Sequence, residues 1–153
     1  MSTPPTESDL LVAPHVVEYT YRRSVGPVLG RFFTGLRERR ILGVRAGDGR
    51  VLVPAREYDP ETGADLHELV EVGDAGVVTT WSWVREPRAK QPLDRPFAWA
   101  LIQLDGADTA MLHAVDAGRE EDMRTGLRVR ARWREETTGV IRDIACFEPE
   151  DRA

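Results

Sequence analysis

The spacing of apolar positions divides this chain into a short helical part and a long β-rich part. Val25, Val28, Leu29, Phe32, Phe33 and Leu36 recur at three- and four-residue intervals, which lines them along one face of a helix. Ser24 is a candidate N-cap, Pro27 fits the first turn, and Arg37, Arg39 and Arg40 suit the negative end of the helix dipole before Gly43. Upstream, residues 15–23 alternate, with Val17, Tyr19 and Tyr21 against Glu18, Thr20 and Arg22, the period of a strand. From residue 67 the pattern turns to strands throughout. A short run at 67–72 is followed by long ones at 76–86, 96–105, 109–117, 127–136 and 140–147. Residues 96–105 are almost continuously apolar, as for a strand covered on both faces. Residues 127–136 alternate fully: Leu127, Val129, Ala131 and Trp133 face one way, Arg128, Arg130, Arg132 and Arg134 the other. Turn signals separate the runs, and no long helix interrupts them. That spacing favours an antiparallel barrel or sandwich, and at about 80 residues a five-stranded oligonucleotide/oligosaccharide-binding (OB) barrel fits best.

Between the two parts lies RAGDGRVLVPAREYDPETG at residues 45–63. Two tight turns, Ala46-Gly47-Asp48-Gly49 and Asp59-Pro60-Glu61-Thr62-Gly63, bracket the apolar Val51-Leu52-Val53, which Pro54 cuts off. Matched turns across a strand make the skeleton of a small metal-binding ribbon, yet neither turn carries a cysteine. The expected layout is therefore a mainly β chain: an arm and amphipathic helix at 1–43, a degenerate, metal-free ribbon at 44–66, the OB barrel at 67–149 and a tail at 150–153. The helical stripe of Phe32, Phe33 and Leu36 packs on the chain's own barrel or docks on another subunit; both readings stay open.

Composition narrows the function. With 41% hydrophobic and 31% charged residues the chain is ordinary and globular, and no apolar run approaches the roughly 20 residues of a membrane span. The first fifteen residues lack a basic segment and do not read as a signal peptide, so a cytoplasmic location is expected. The net charge of -5 repels phosphate backbones and disfavours nucleic acid. Cys146 is the single cysteine, which excludes a disulfide and any cysteine-pair zinc site. His15, His67 and His113 have no ligand spacing, so no metal is expected.

Catalytic signals are sparse. The sequence has no nucleophile elbow, phosphate loop or dinucleotide fingerprint. Cys146 sits in an apolar run, where a reactive thiolate is disfavoured, and His113 reads as structural. Two basic features are candidates for binding. Arg88, Lys90 and Arg95 cluster in a proline-containing loop that suits the phosphates of CoA or simply faces solvent. The arginine row of 128–134 needs acidic company, from Glu120, Glu121 and Asp122, from a partner or from a ligand. Among the aromatics, Trp83 and Trp99 are expected to plug the barrel rather than stack on single-stranded bases.

The order of these parts, with Gly49-Arg50-Val51-Leu52-Val53-Pro54, the Asp105-Gly106-Ala107-Asp108 turn and Leu112-His113-Ala114-Val115-Asp116, resembles a family of acyl-CoA-associated proteins in which a helix and a rubredoxin-like zinc ribbon precede an OB-fold. The resemblance runs from about Tyr19 to Phe147. In zinc-bearing members each ribbon turn holds a Cys-x-x-Cys knuckle; here the second pair falls on Asp59 and Thr62, and the first near Arg45 or Ala46 and on Asp48. Every ligand is replaced, so the resemblance implies a zinc-less ribbon held by hydrogen bonds at Asp48 and Asp59, by the stiffness of Pro54 and Pro60, and by packing of Val51 and Val53. It also implies a non-catalytic partner of a thiolase-like or lipid-transfer-protein-type enzyme, in actinobacterial steroid side-chain breakdown, with Phe32, Phe33, Leu36, Val51, Val53 and Tyr58 as interface candidates. A stand-alone acyl-CoA-binding module, and then a single-stranded nucleic-acid binder, are the alternatives.

Overall fold

The structure, a computed structural model, describes residues 13–18 and 24–152. Residues 15–18 of the alternating stretch form no regular element, and Tyr19, Tyr21 and the rest of 19–23 lie outside the described residues. The helix α1 (Pro27–Arg37) forms where the stripe predicts it, burying Val28, Phe32 and Leu36. Its N-cap is Gly26 instead of Ser24, with no capping side chain of its own. The cap comes from far along the chain: the Glu57 carboxylate accepts from the Val28 and Leu29 amides at 3.0 and 2.9 Å. This meets two orphan donors and places negative charge at the positive end of the dipole. The helix closes on Arg39, at φ 58°, with the Arg40 amide donating to the Gly35 carbonyl and the Arg39 amide to that of Leu36. That is the Schellman pattern, built here on arginine. Replacing Glu57 by Ala is expected to cost about 1–2 kcal/mol, and Glu57→Gln less, read as a shift in the denaturant midpoint at unchanged slope.

Three short strands follow: β1 (Ile41–Arg45), β2 (Val51–Leu52) and β3 (Leu69–Val72), in the order β2-β1-β3. The barrel takes the rest: β4 (Ala75–Val84), β5 (Phe97–Leu104), β6 (Ala110–Val115), β7 (Arg128–Trp133) and β8 (Ile144–Pro149), closed in the order β4-β5-β6-β8-β7. The mainly β, five-stranded OB architecture is therefore present. β3, within the segment expected from residue 67 onward, pairs antiparallel with β1 from Ile41↔Val72 to Val44↔Leu69. The barrel starts at Ala75. The ribbon and barrel share one core: Phe32, Leu36, Val44, Val51 and Val53 are buried in the same cluster as Val78, Ile102, Val129 and Phe147. Side-chain bonds fasten them together, since Asp108 Oδ2 accepts from the Val51 amide and Thr109 Oγ1 from the Val53 amide, each at 2.8 Å.

Both ribbon turns are held by the aspartates expected to hold them. Asp48 Oδ1 accepts from the Arg50 amide at 3.0 Å. The buried Asp59 accepts from the Glu61 and Thr62 amides at 2.8 and 3.2 Å, an Asx turn. Of the two tryptophans expected to plug the barrel, Trp83 packs against its core and Trp99 does not. Trp83 pairs with Ala98 and shares its inward face, but remains only partly buried. Trp99 pairs with Ala114 and packs outside the barrel wall with Phe97 and Leu93. The register explains this: Ala98, Ala100, Ile102 and Leu104 alternate inward, so Trp99 and the exposed Leu101 point outward.

Candidate functional site

Most cationic side chains on the barrel are neutralised within the chain. Arg128 makes a two-pronged bond to Asp105, at 2.7 and 2.8 Å, and a third to Glu150 at 3.1 Å, which lifts its guanidinium further above its ordinary range. Arg130 pairs with Asp74 and Glu150, and Arg132 with Glu148 at 2.7 Å. Arg128, Arg130 and Arg132 thus form an internally paired face, while Arg134, the last of the row, has no ion pair among the described residues. Its partners are not the expected Glu120, Glu121 and Asp122: Glu120 pairs with Arg85, and Asp122 with Arg119. Strand register decides this, because β7 lies between β4 and β8, which bring Asp74, Glu148 and Glu150 alongside.

The proposed phosphate-binding cluster is divided. Arg95 is bound to the buried Asp116. Arg88 is exposed, and its backbone amide donates to Gln91 Oε1 at 2.8 Å. Lys90, at φ 74°, reaches a different place, a cleft of about 310 Å³ that it lines with Pro92, Trp99, Leu112, Ile144 and Arg142 among others.

This cleft follows from the topology. β6 and β8 run parallel and meet only at Val115↔Phe147, so the strands splay apart on one side of that contact. Ile144 and His113 are buried, while Leu112 is 58% and Ile141 40% exposed. At the unpaired edge of β6 the Ala114 amide donates to His113 Nδ1 at 2.9 Å. Burial is the largest influence on the pKa of this ring and lowers it. A buried, neutral ring whose Nδ1 already accepts from the backbone is not placed to move protons. Sequence spacing carried no signal for this cleft, because its lining comes from the 90–92 loop, three strands and the 3-10 turn at Ile141–Asp143.

One potential donor cluster exists among the described residues: Asp116, Cys146 and Glu148 offer ligand atoms within 4.8 Å of one another. Two guanidiniums already serve these atoms, Arg95 on Asp116 and Arg132 on Glu148 and, at 3.2 Å, on Cys146 Sγ. Burial raises the Cys146 pKa, opposed by Arg132, so the thiol is not an activated nucleophile. The interface candidates also separate. Phe32, Leu36, Val51 and Val53 are buried in the chain's own core and are unavailable to a partner. Phe33 stays partly accessible, and Tyr58 is 61% exposed. No described helix is long and apolar enough to cross a membrane.

Comparison with known proteins agrees with this architecture. Residues 69–134 match the family described as ChsH2, C-terminal OB-fold domain. A DUF35 domain-containing scaffold protein of Pyrococcus furiosus is 28% identical over 102 residues, covering 66% of this chain and 74% of that protein. Two solved structures share the fold. A chain of the Ltp2-ChsH2(DUF35) aldolase aligns at a TM-score of 0.60 and 20% identity, over 84% of this chain and 98% of its own. A DUF35-family protein of unknown function from Sulfolobus solfataricus aligns at 0.55 and 24%, over 69% and 78%.

Proposed function

We propose that this chain is a non-catalytic accessory subunit of a thiolase-superfamily enzyme, a thiolase or retro-aldolase, acting on acyl-CoA thioesters such as those of steroid side chains. The observation that carries the reading is the match of its barrel to the ChsH2 C-terminal domain, a domain whose name recurs in an aldolase complex; the Pyrococcus relative is named a scaffold protein. The chemistry of the chain supports it. His113 is buried with a lowered pKa and its Nδ1 accepts from the Ala114 amide, and Cys146 is buried with a raised pKa, so neither is poised to react. In this reading the ribbon carries no zinc and serves as a wedge between helix and barrel. The partner contacts the end of the molecule where Val25 (52% exposed) precedes α1 and Tyr58 follows the capping Glu57. Exposed aromatic and β-branched side chains in such a setting are common anchors of interfaces.

Co-expression with the thiolase-like enzyme encoded nearest to this chain tests the proposal. The expected result is co-elution and a more stable, more active enzyme, with Val25→Asp and Tyr58→Ala together weakening the complex about tenfold or more. A chain that purifies alone and changes neither the stability nor the turnover of that enzyme would sink the idea.

A further inference from the structure

The cleft between β6 and β8 has a composition that the accessory role does not explain. Its floor is buried and its walls are apolar: Ile144 below, Trp99, Leu112 and Ile141 around. Its remaining charged lining consists of Lys90, Arg134 and Arg142, all exposed and thus at the rim, and no carboxylate lines it. Among the described residues none of these three cations forms an ion pair, in contrast to the fully paired Arg128, Arg130 and Arg132 of the adjoining strand. In a chain of net charge -5, an apolar cleft ringed by unpaired cations is complementary to one kind of molecule.

We infer that this cleft binds an amphipathic carboxylate, an apolar chain seated against Trp99 and Ile144 with its anionic end among Lys90, Arg134 and Arg142. The volume of about 310 Å³ lies at the small end of the range for ligand pockets, which suits a medium-length chain. Small-ligand sites are of this kind, mainly apolar with a few convergent polar groups. The charge of the ligand sits directly at the end of the apolar segment, because the cations rim the cleft itself. The one titratable lining group apart from the cations, His113, is buried with a lowered pKa and accepts from the Ala114 amide, so it adds no charge to the site. The inference does not rest on the proposed accessory role.

The test is a titration of the isolated full chain with decanoate and with decanol, followed by amide and methyl chemical shifts. Saturable shifts at Leu112, Ile141 and Ile144 are expected with decanoate, and about tenfold weaker binding with decanol. Arg142→Glu and Lys90→Gly should each weaken decanoate about tenfold and leave decanol unchanged. Both side chains are exposed, and glycine suits the positive φ of residue 90, so the second variant retains the fold even if the first does not. Absence of saturable shifts, equal affinity for decanol, or indifference to both substitutions would overturn the inference. So would binding of an acidic, apolar peptide at these residues in place of decanoate.

Discussion

Asp143→Ala should unfold this protein more readily than almost any other single substitution on its surface-facing loops, with a loss of about 3–5 kcal/mol. Asp143 is 1% exposed and its carboxylate accepts from three successive backbone amides, Thr138 at 3.0 Å, Gly139 at 2.7 Å and Val140 at 3.1 Å. Removing it leaves three donors without their acceptor, each costing about 1–3 kcal/mol where water cannot replace it. The damage would spread, because this loop joins helix to barrel: Thr137 Oγ1 donates to the Arg37 carbonyl at 2.6 Å, and Arg39 Nη2 to the Arg134 and Glu135 carbonyls at 3.1 and 3.0 Å. In a chain of this size a loss of that order lowers the melting temperature by about 10 °C or more. Asp143→Asn, which keeps one acceptor oxygen, should lose less. The pH dependence has a definite sign. Burial alone would raise the Asp143 pKa, but the backbone donors outweigh it and hold the carboxyl below its ordinary range. Its stabilisation is then complete above pH about 4 and is lost as pH falls through the folded-state value. The gap in unfolding free energy between the natural chain and Asp143→Asn should therefore narrow on acidification; a gap that widened would contradict the assignment.

Gly76→Ala should be comparably damaging, by about 3 kcal/mol or more, for a reason unrelated to glycine's flexibility. Gly76 sits where β4 is clasped on both sides, opposite Leu104 of β5 and Val129 of β7. A β-carbon there would lie 2.3 Å from the Gln103 carbonyl oxygen and 2.8 Å from the Leu104 Cα. Those atoms are backbone in a closed barrel, so they cannot swing aside as a long side chain does, and overpacking must be relieved by moving strands. Equilibrium denaturation, read beside the milder Glu57→Ala, would rank the two. A loss below 1 kcal/mol for Gly76→Ala would mean that the barrel opens more easily at β4 than its geometry implies.

How far each feature was legible follows from where its determinants lie. The helix and the long strands were readable because apolar periodicity is local; Val28, Phe32 and Leu36 announce a buried face whatever covers it. The Asx turn at Asp59 was readable for the same reason, since donor and acceptor lie within three residues. The helix cap was not, because Glu57 stands 29 residues from Val28, and neither its type nor its neighbours mark it. The placement of Trp99 failed on register: which of Ala98 and Trp99 faces inward is set by pairing with β4 and β6, not by a nearly continuous apolar run. Arg88, Lys90 and Arg95 lie together in sequence, yet one binds Asp116, one rims the cleft and one faces solvent.

The sequence by itself determined the β-rich barrel, the amphipathic helix and the cysteine-free ribbon turns, all of which rest on residue type and short-range spacing. Only the tertiary structure decided that β3 joins the ribbon sheet, that the ribbon's valines are core, that the arginines of β7 are paired, and that a cation-rimmed cleft opens beside His113. Those facts depend on which distant segments lie side by side. The parallel β6–β8 contact that splays open to form the cleft brings together residues 90–92 and 141–145, a proximity that closure of the barrel alone creates.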